Sequence, residues 1–218
     1  FHTKKKLITF ENLGTNAQNI KNFNPLDLHL KNSGPEFFVF PKNINKVKLL
    51  NNYNQKKRIN ILIIQGGNDS NSQLQKLINF LEINKKEIKF KFRLIVKVLD
   101  NKNIKCDKST LLISNIKDIN TLYKKTQIAI SSVGNTSFEL GYIGIPSIHF
   151  TIEKREIKRA KILDKLKLAS FIRKDLFQII DELNEIYFNN NYRKKLIKRR
   201  ISFFRKKNKL LKIVSNEI

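Results

Sequence analysis

Residues 61–81, ILIIQGGNDSNSQLQKLINFL, change period halfway along. Ile61–Ile64 is a continuous apolar run, the pattern of a strand buried on both faces. Leu74, Leu77, Ile78 and Leu81 then recur at i, i+3, i+4 and i+7, which predicts an amphipathic helix. Gly66 and Gly67 sit at the junction, followed by Asn68, Asp69 and Ser70 as candidate helix caps. A buried strand, a glycine turn and a helix form one βα unit of a parallel sheet.

The same rhythm continues downstream. Leu94–Leu99 and Leu111–Ile113 read as strands, and Ile119 with Leu122 marks a short helix. Ile128–Ser131 is a strand that runs into Ser132-Val133-Gly134-Asn135-Thr136. Ser137–Tyr142 begins a helix that should stop near Gly144-Ile145-Pro146. Ser147–Phe150 is a strand and Ile157–Leu166 a helix. Strands alternating with helices predict an α/β fold, a Rossmann-like parallel sheet with helices on both faces. Towards the C-terminus Leu176, Ile179, Ile180, Leu183 and Ile186 mark one helix. Asn191–Ile218 reads as another, with Ile197, Ile201 and Phe204 on one face. At the other end, Leu7–Phe10, Leu26–Leu30 and Phe37–Phe40 are candidate strands in an irregular region, and Asn51–Arg58 reads as a polar, basic linker.

The 218 residues are 40% apolar, enough for a sizeable core and against wholesale disorder. Lys and Arg number 44 against 18 Asp and Glu, a net charge of +26. That charge invites a polyanion or an anionic membrane. An AT-rich codon bias towards Lys, Asn and Ile accounts for it equally well. The basic residues are spread along the chain with no nucleic-acid-binding motif, so a nucleic-acid partner is not expected. The last 28 residues hold 11 Lys or Arg and one Glu, which makes this helix a solvated outer face or a peripheral membrane contact. One cysteine, Cys106, rules out an intrachain disulfide framework and fits the reducing cytoplasm. With three histidines, it also excludes a cysteine-rich zinc site. No apolar run approaches the ~18 residues of a membrane-spanning helix. A chain that lacks Met and opens Phe1-His2-Thr3 reads as part of a longer protein.

Two strand-to-helix turns are the candidate site. In open α/β sheets ligands bind beyond the carboxyl ends of the strands. Gly66 and Gly67 would let backbone N–H groups approach a phosphate, and they serve a simple tight turn equally well. In the second turn, Ser132, Gly134, Asn135 and Thr136 lead into a helix whose free N–H groups can hold an anion. Glu139, one helical turn on, could accept hydrogen bonds from ribose hydroxyls. Thr136-x-x-Glu139 is also a capping-box spacing, and the spacing alone leaves both readings open. His149 lies in an apolar strand, as core histidines do. No catalytic triad, metal-ligand spacing or P-loop is present, so no catalytic residue, metal or cofactor is assigned.

Together the two turns resemble a known family. ILIIQGGNDS (Ile61–Ser70) resembles the strand and loop that open the C-terminal domain of the UDP-sugar hydrolase of pseudaminic-acid synthesis and of related spore-coat polysaccharide proteins. IKDINTLYKKTQIAISSVGNTSFELGYIGIPSIHF (Ile116–Phe150) is similar to that family's second signature, with Val133 in place of a Gly and Gln127 in place of an Asp. ITFENLG (Ile8–Gly14) and SGPEFFVF (Ser33–Phe40) are similar to segments that join the two halves of such proteins. The resemblance implies the C-terminal half of a GT-B architecture, as in the lipid II-forming N-acetylglucosaminyltransferase. It implies a UDP-sugar ligand, with the diphosphate at the glycine turns, to which Gly66, Gly67, Asp69, Gly134 and Thr136 belong, and the ribose on Glu139; Asn68, Ser132 and Asn135 complete the candidate nucleotide-sugar-binding set. A UDP-sugar hydrolase of surface-polysaccharide or nonulosonic-acid synthesis is the first reading, a glycosyltransferase using a UDP-sugar the alternative, and a basic nucleic-acid-binding module the alternative of another class. The expected layout is residues 1–55 as the end of an N-terminal domain and a connection, 56–173 as the nucleotide-sugar-binding domain, and 174–218 as basic helices packed on it. The catalytic half would then lie outside this chain.

Overall fold

A computed structural model describes residues 7–10, 20–23, 25–26, 28, 33–44, 53, 58–65, 71–98, 104–151, 154–173, 175–210 and 213. Two short strands, β1 (Leu7–Phe10) and β2 (Ile20–Phe23), pair in parallel. The main sheet contains β3 (Ile59–Ile64), β4 (Phe92–Lys97), β5 (Leu111–Ile113), β6 (Ile128–Ser131), β7 (Ser147–Phe150) and β8 (Ser170–Ile172). All six strands are parallel, in the order β5-β4-β3-β6-β7-β8. The helices between and after them are α1 (Asn71–Ile83), α2 (Asn120–Tyr123), α3 (Asn135–Ile143), α4 (Lys154–Lys165), α5 (Phe177–Phe188) and α6 (Asn190–Phe204).

The uninterrupted apolar run of β3 serves two cores at once. Ile59, Ile61 and Ile63 pack with Leu74, Leu77, Ile78 and Leu81 of α1 and with Ile179, Ile180, Leu183 and Ile186 of α5. Leu62 and Ile64 face the other way, against Leu122 and Tyr123 of α2 and Leu140 and Ile143 of α3. Helices therefore cover both faces, as the strand pattern predicts. Each fully buried Ile or Leu contributes roughly 1.5–3 kcal/mol relative to exposure.

α3 stops where its sequence predicts. Gly144 takes φ 91°, and its N–H donates to the carbonyls of Leu140 and Gly141, with Pro146 following. Gly141 has a different task. A Cβ there would lie 2.2 Å from Cδ2 of Phe204, so the glycine is what lets the Phe204 ring lie against α3. Phe138 supplies the other contact, with ring centroids 5.1 Å apart.

Several expectations are corrected. Phe37–Phe40 is not a strand. Gly34 at φ 108° and Pro35 start a 3-10 turn, Pro35–Phe37, and Phe38 follows as irregular chain. Its apolar character reflects burial: Phe38 packs on Phe138 at 5.1 Å. Pro25, Leu26 and Leu28 lie in turns, and the rest of Leu26–Leu30 is outside the described residues. Within Asn51–Arg58, Tyr53 is no linker residue. It is 3% exposed, its hydroxyl donates to the Gln127 carbonyl, and the Arg193 guanidinium lies 4.1 Å over its ring. β2 and β8 were not anticipated.

The C-terminal helix is shorter than its pattern suggests, because α6 ends at Phe204 and residues 205–209 are not helical. Its inner face is Arg193, Leu196, Arg200 and Phe204, while Ile197 and Ile201 are only half-buried. Both arginines satisfy main-chain carbonyls. Arg193 Nη1 donates to Ile186 O (2.7 Å) and Tyr187 O (2.6 Å), closing the C-terminus of α5. Arg200, 1% exposed, donates to Leu168 O and to Ser147 Oγ.

Candidate functional site

The strand order places the candidate turns. From β3 the chain winds to β4 and β5 on one side, and from β6 to β7 and β8 on the other. The order therefore reverses between β3 and β6, which is where doubly wound sheets open a crevice at their carboxyl edge. β3 and β6 are hydrogen-bonded neighbours, and their last paired residues are Ile64 and Ser131. The two glycine turns leave from these two residues. Gly66, Gly67, Asn68 and Asp69 themselves lie outside the described residues.

The second turn is described in full. Ser132 and Val133 are buried, Gly134 and Thr136 half-buried and Asn135 exposed. Gly134 is the N-cap of α3, in an extended conformation and without a side-chain cap. Ser137 folds back, donating from N (3.1 Å) and Oγ (2.8 Å) to the Gly134 carbonyl. A Cβ on Gly134 would meet nothing within 4 Å. Neither φ (−110°) nor internal packing demands glycine here. A side chain at this N-cap position would enter open space.

Glu139 does not close a capping box. Its Oε2 accepts from the Tyr123 hydroxyl at 2.5 Å. Tyr123 is fully buried, and burial next to Glu139 pushes its ionisation far up, so it is a permanent donor. Burial also raises the Glu139 pKa, and the Tyr123 hydrogen bond offsets part of that rise. Oε1 has no protein donor among the described residues. The carboxylate is thus fixed by one oxygen with the other left over.

Sequence reasoning missed Tyr123 and also Lys97. Lys97 ends β4 opposite Ile64 of β3, at the same edge as both turns. Its Nζ donates to Val98 O (2.6 Å) and Ser114 O (2.7 Å), and partial burial lowers its pKa. Neither residue carried a motif signal, since each acquires its position from pairings distant in sequence.

His149 is in the interior, 1% exposed, and neither ring nitrogen has a hydrogen-bond partner among the described residues. Burial and then the Arg200 charge lower its pKa to about 3, so it is neutral at physiological pH. Cys106 is half-buried in irregular chain, and burial raises its pKa. Among the described residues there is no group of three metal-ligating side chains. No helix among them is long and apolar enough to cross a membrane.

No protein-family model matches the chain. The uncharacterized protein MJ1062 of Methanocaldococcus jannaschii is 27% identical over 192 residues, covering 76% of this chain and 39% of that protein. Among solved structures, the spinosyn rhamnosyltransferase SpnG complexed with thymidine diphosphate matches at TM-score 0.57 and 10% identity, over 83% of this chain and 49% of that one. The calicheamicin glycosyltransferase CalG4 matches at TM-score 0.54 and 12% identity, over 74% and 43%. The wall teichoic acid polymerase TagF matches at 0.53 and 13%, over 80% and 45%. The chain thus spans less than half the length of each. The parallel six-stranded sheet with its helices is a Rossmann-like α/β fold matching GT-B glycosyltransferases.

Proposed function

We propose that this chain is the donor-binding half of a glycosyltransferase and holds a pyrimidine nucleoside diphosphate sugar at the β3–β6 crevice. The observation that carries the reading is that the strand order reverses between β3 and β6, the two strands that the glycine turns follow in the sequence. In this reading the diphosphate sits between Gly66, Gly67, Asn68 and Asp69 on one side and Ser132, Gly134, Asn135 and Thr136 on the other. The uncapped start of α3 supplies N–H donors and the positive end of its dipole. Lys97 adds a cation at the same edge. Glu139, locked by Tyr123, offers Oε1 to the ribose hydroxyls.

The protein would hold and neutralise the leaving diphosphate while an acceptor hydroxyl attacks the anomeric carbon. The base for that hydroxyl belongs to a part of the enzyme beyond residues 56–173, the segment proposed as the donor domain. Transfer is preferred to hydrolysis because the likeness runs to a rhamnosyltransferase, a glycosyltransferase and a polymerase. The UDP-sugar hydrolase of pseudaminic-acid or spore-coat type has no counterpart among these structures and rests on the sequence resemblance alone.

Gly134→Ala tests the site. The space around Gly134 predicts an unchanged fold, since the loss of an N-cap glycine and the gain in chain stiffness are each below ~1 kcal/mol and opposed. Calorimetric titration should find UDP and TDP bound more tightly than UMP, and at least tenfold weaker in Gly134→Ala. Equal affinity for the variant and the parent would remove the diphosphate from this turn.

A further inference from the structure

The excess positive charge has a local concentration that the nucleotide reading does not use. α4 ends at Lys165, and Leu166, 46% exposed, and Lys167 form the turn that leads towards β8. Lys167 faces Lys195 and Arg199 of α6 across a cavity of about 440 Å³. Asp164 lines the same cavity as the single carboxylate among its lining residues, and Glu182 lies behind Tyr192. Asp164 Oδ1 accepts from Phe171 N (3.3 Å), and Glu182 accepts from the Tyr192 hydroxyl (2.6 Å). Among the described residues no ion pair involves Lys167, Lys195 or Arg199.

α6 is not a free amphipathic helix. Its apolar residues Leu196 and Phe204 are buried in the domain, so it cannot roll onto a bilayer by itself. The surface it offers is joint with the end of α4. That surface lies at the amino end of β8, across the sheet from the carboxyl edge that carries the two turns.

We propose that the α4 end and the outer face of α6 dock on an anionic phospholipid surface, with lipid phosphates between Lys167, Lys195 and Arg199 and Leu166 at the acyl boundary. Clustered Lys and Arg are drawn to the surface potential of anionic lipid. An exposed leucine bracketed by lysines suits the headgroup boundary. A single-stranded nucleic acid would want exposed rings to stack on. The cavity offers only Tyr192, half-buried with its hydroxyl bonded to Glu182. Docked this way, the carboxyl edge stays open to a water-soluble donor. The proposal is independent of the nucleotide reading, and either can fail alone.

Co-sedimentation of the 218-residue chain with vesicles tests it. Phosphatidylcholine vesicles containing phosphatidylglycerol should bind the chain, and phosphatidylcholine alone should not. Combined Lys167→Glu, Lys195→Glu and Arg199→Glu should lower partitioning at least tenfold. Gln at the same positions covers the case of a triple variant that misfolds, and should give a smaller loss. Leu166→Ser should weaken binding severalfold without changing its salt dependence. Lys76→Glu, Lys86→Glu and Lys108→Glu change the charge equally at exposed positions elsewhere, and should keep partitioning within threefold. Millimolar inorganic phosphate should not release the chain. The proposal is overturned if this control set loses as much as the α4–α6 set, if free phosphate competes fully, if duplex DNA binds as tightly as the vesicles, or if no vesicle binding occurs.

Discussion

The Tyr123–Glu139 pair separates a carboxylate held for a ligand from one that serves the fold. The Tyr123 hydroxyl donates to Glu139 Oε2 at 2.5 Å. Tyr123→Phe strips a donor from a half-buried carboxylate. Unmade bonds of this kind cost about 1–3 kcal/mol. At roughly 2–4 °C per kcal/mol for a chain of this size, the melting temperature should fall by several degrees. Glu139→Gln keeps an acceptor for Tyr123 and removes a charge that burial disfavours. Its effect on stability at neutral pH should be within ~1 kcal/mol. The sign follows from the raised Glu139 pKa. The native state binds the proton more tightly than the unfolded one, so the parent loses stability relative to Gln as pH rises through the native pKa. Below the ordinary carboxyl range the charge contribution vanishes, because Glu139 is protonated in both states. Urea unfolding of both variants across the acid range, with UDP titrations at neutral pH, measures all of this. A ligand role predicts at least a tenfold loss of UDP affinity in Glu139→Gln, about 1.4 kcal/mol, beside near-parental stability. Should Glu139→Gln destabilise as much as Tyr123→Phe while leaving UDP affinity intact, the carboxylate is structural and the ribose assignment is wrong.

Other predictions concern the scaffold. Gly141→Ala should cost about 1–3 kcal/mol by driving a methyl into the Phe204 ring, and Phe204→Leu in the same chain should recover part of the loss in thermal melts. His149, with its pKa lowered to about 3 from 6.5, binds its proton only in the unfolded state between those values. Stability should therefore fall as pH drops through that window, by up to ~1.4 kcal/mol per pH unit, and His149→Gln should flatten the slope of urea midpoints against pH. Lys97→Met should leave folding within about 1 kcal/mol, because partial burial already disfavours its charge, and should weaken UDP binding in calorimetry.

Much of the fold was legible because local pattern and tertiary role coincide. β3 and β6 read as continuous apolar runs since both faces of the sheet are covered. α1 kept its helical period, and Gly144-Ile145-Pro146 announced the end of α3. β8 was missed because three residues, Ser170–Ile172, carry no period, and its strand character comes from pairing with β7. The Phe37–Phe40 run misled because Phe37 and Phe38 are apolar for burial and not for strand pairing. Arg193 and Arg200 defeat a charge pattern that puts every cation outside, since each finds carbonyl acceptors in the interior. Both turns of the candidate site were visible in the sequence. Their meeting at the carboxyl edge was expected too; what could not be read is that β3 pairs with β6 across more than sixty residues, which sets Ile64 beside Ser131. Tyr123 and Lys97 were invisible for the same reason.

The central claim is that a nucleoside diphosphate occupies the β3–β6 crevice. Titrating UDP into isotopically labelled chain and following backbone amide resonances tests it most directly, since weak binding is detected and located at once. The account predicts that the largest shifts fall at residues 132–139, at Gln65 and Asn71 flanking the first turn, and at Lys97 and Val98. Shifts centred elsewhere, such as the cavity at the amino end of β4 and β5 lined by Arg58, Lys91 and Arg93, would contradict it, as would a folded chain whose spectrum millimolar UDP leaves unchanged.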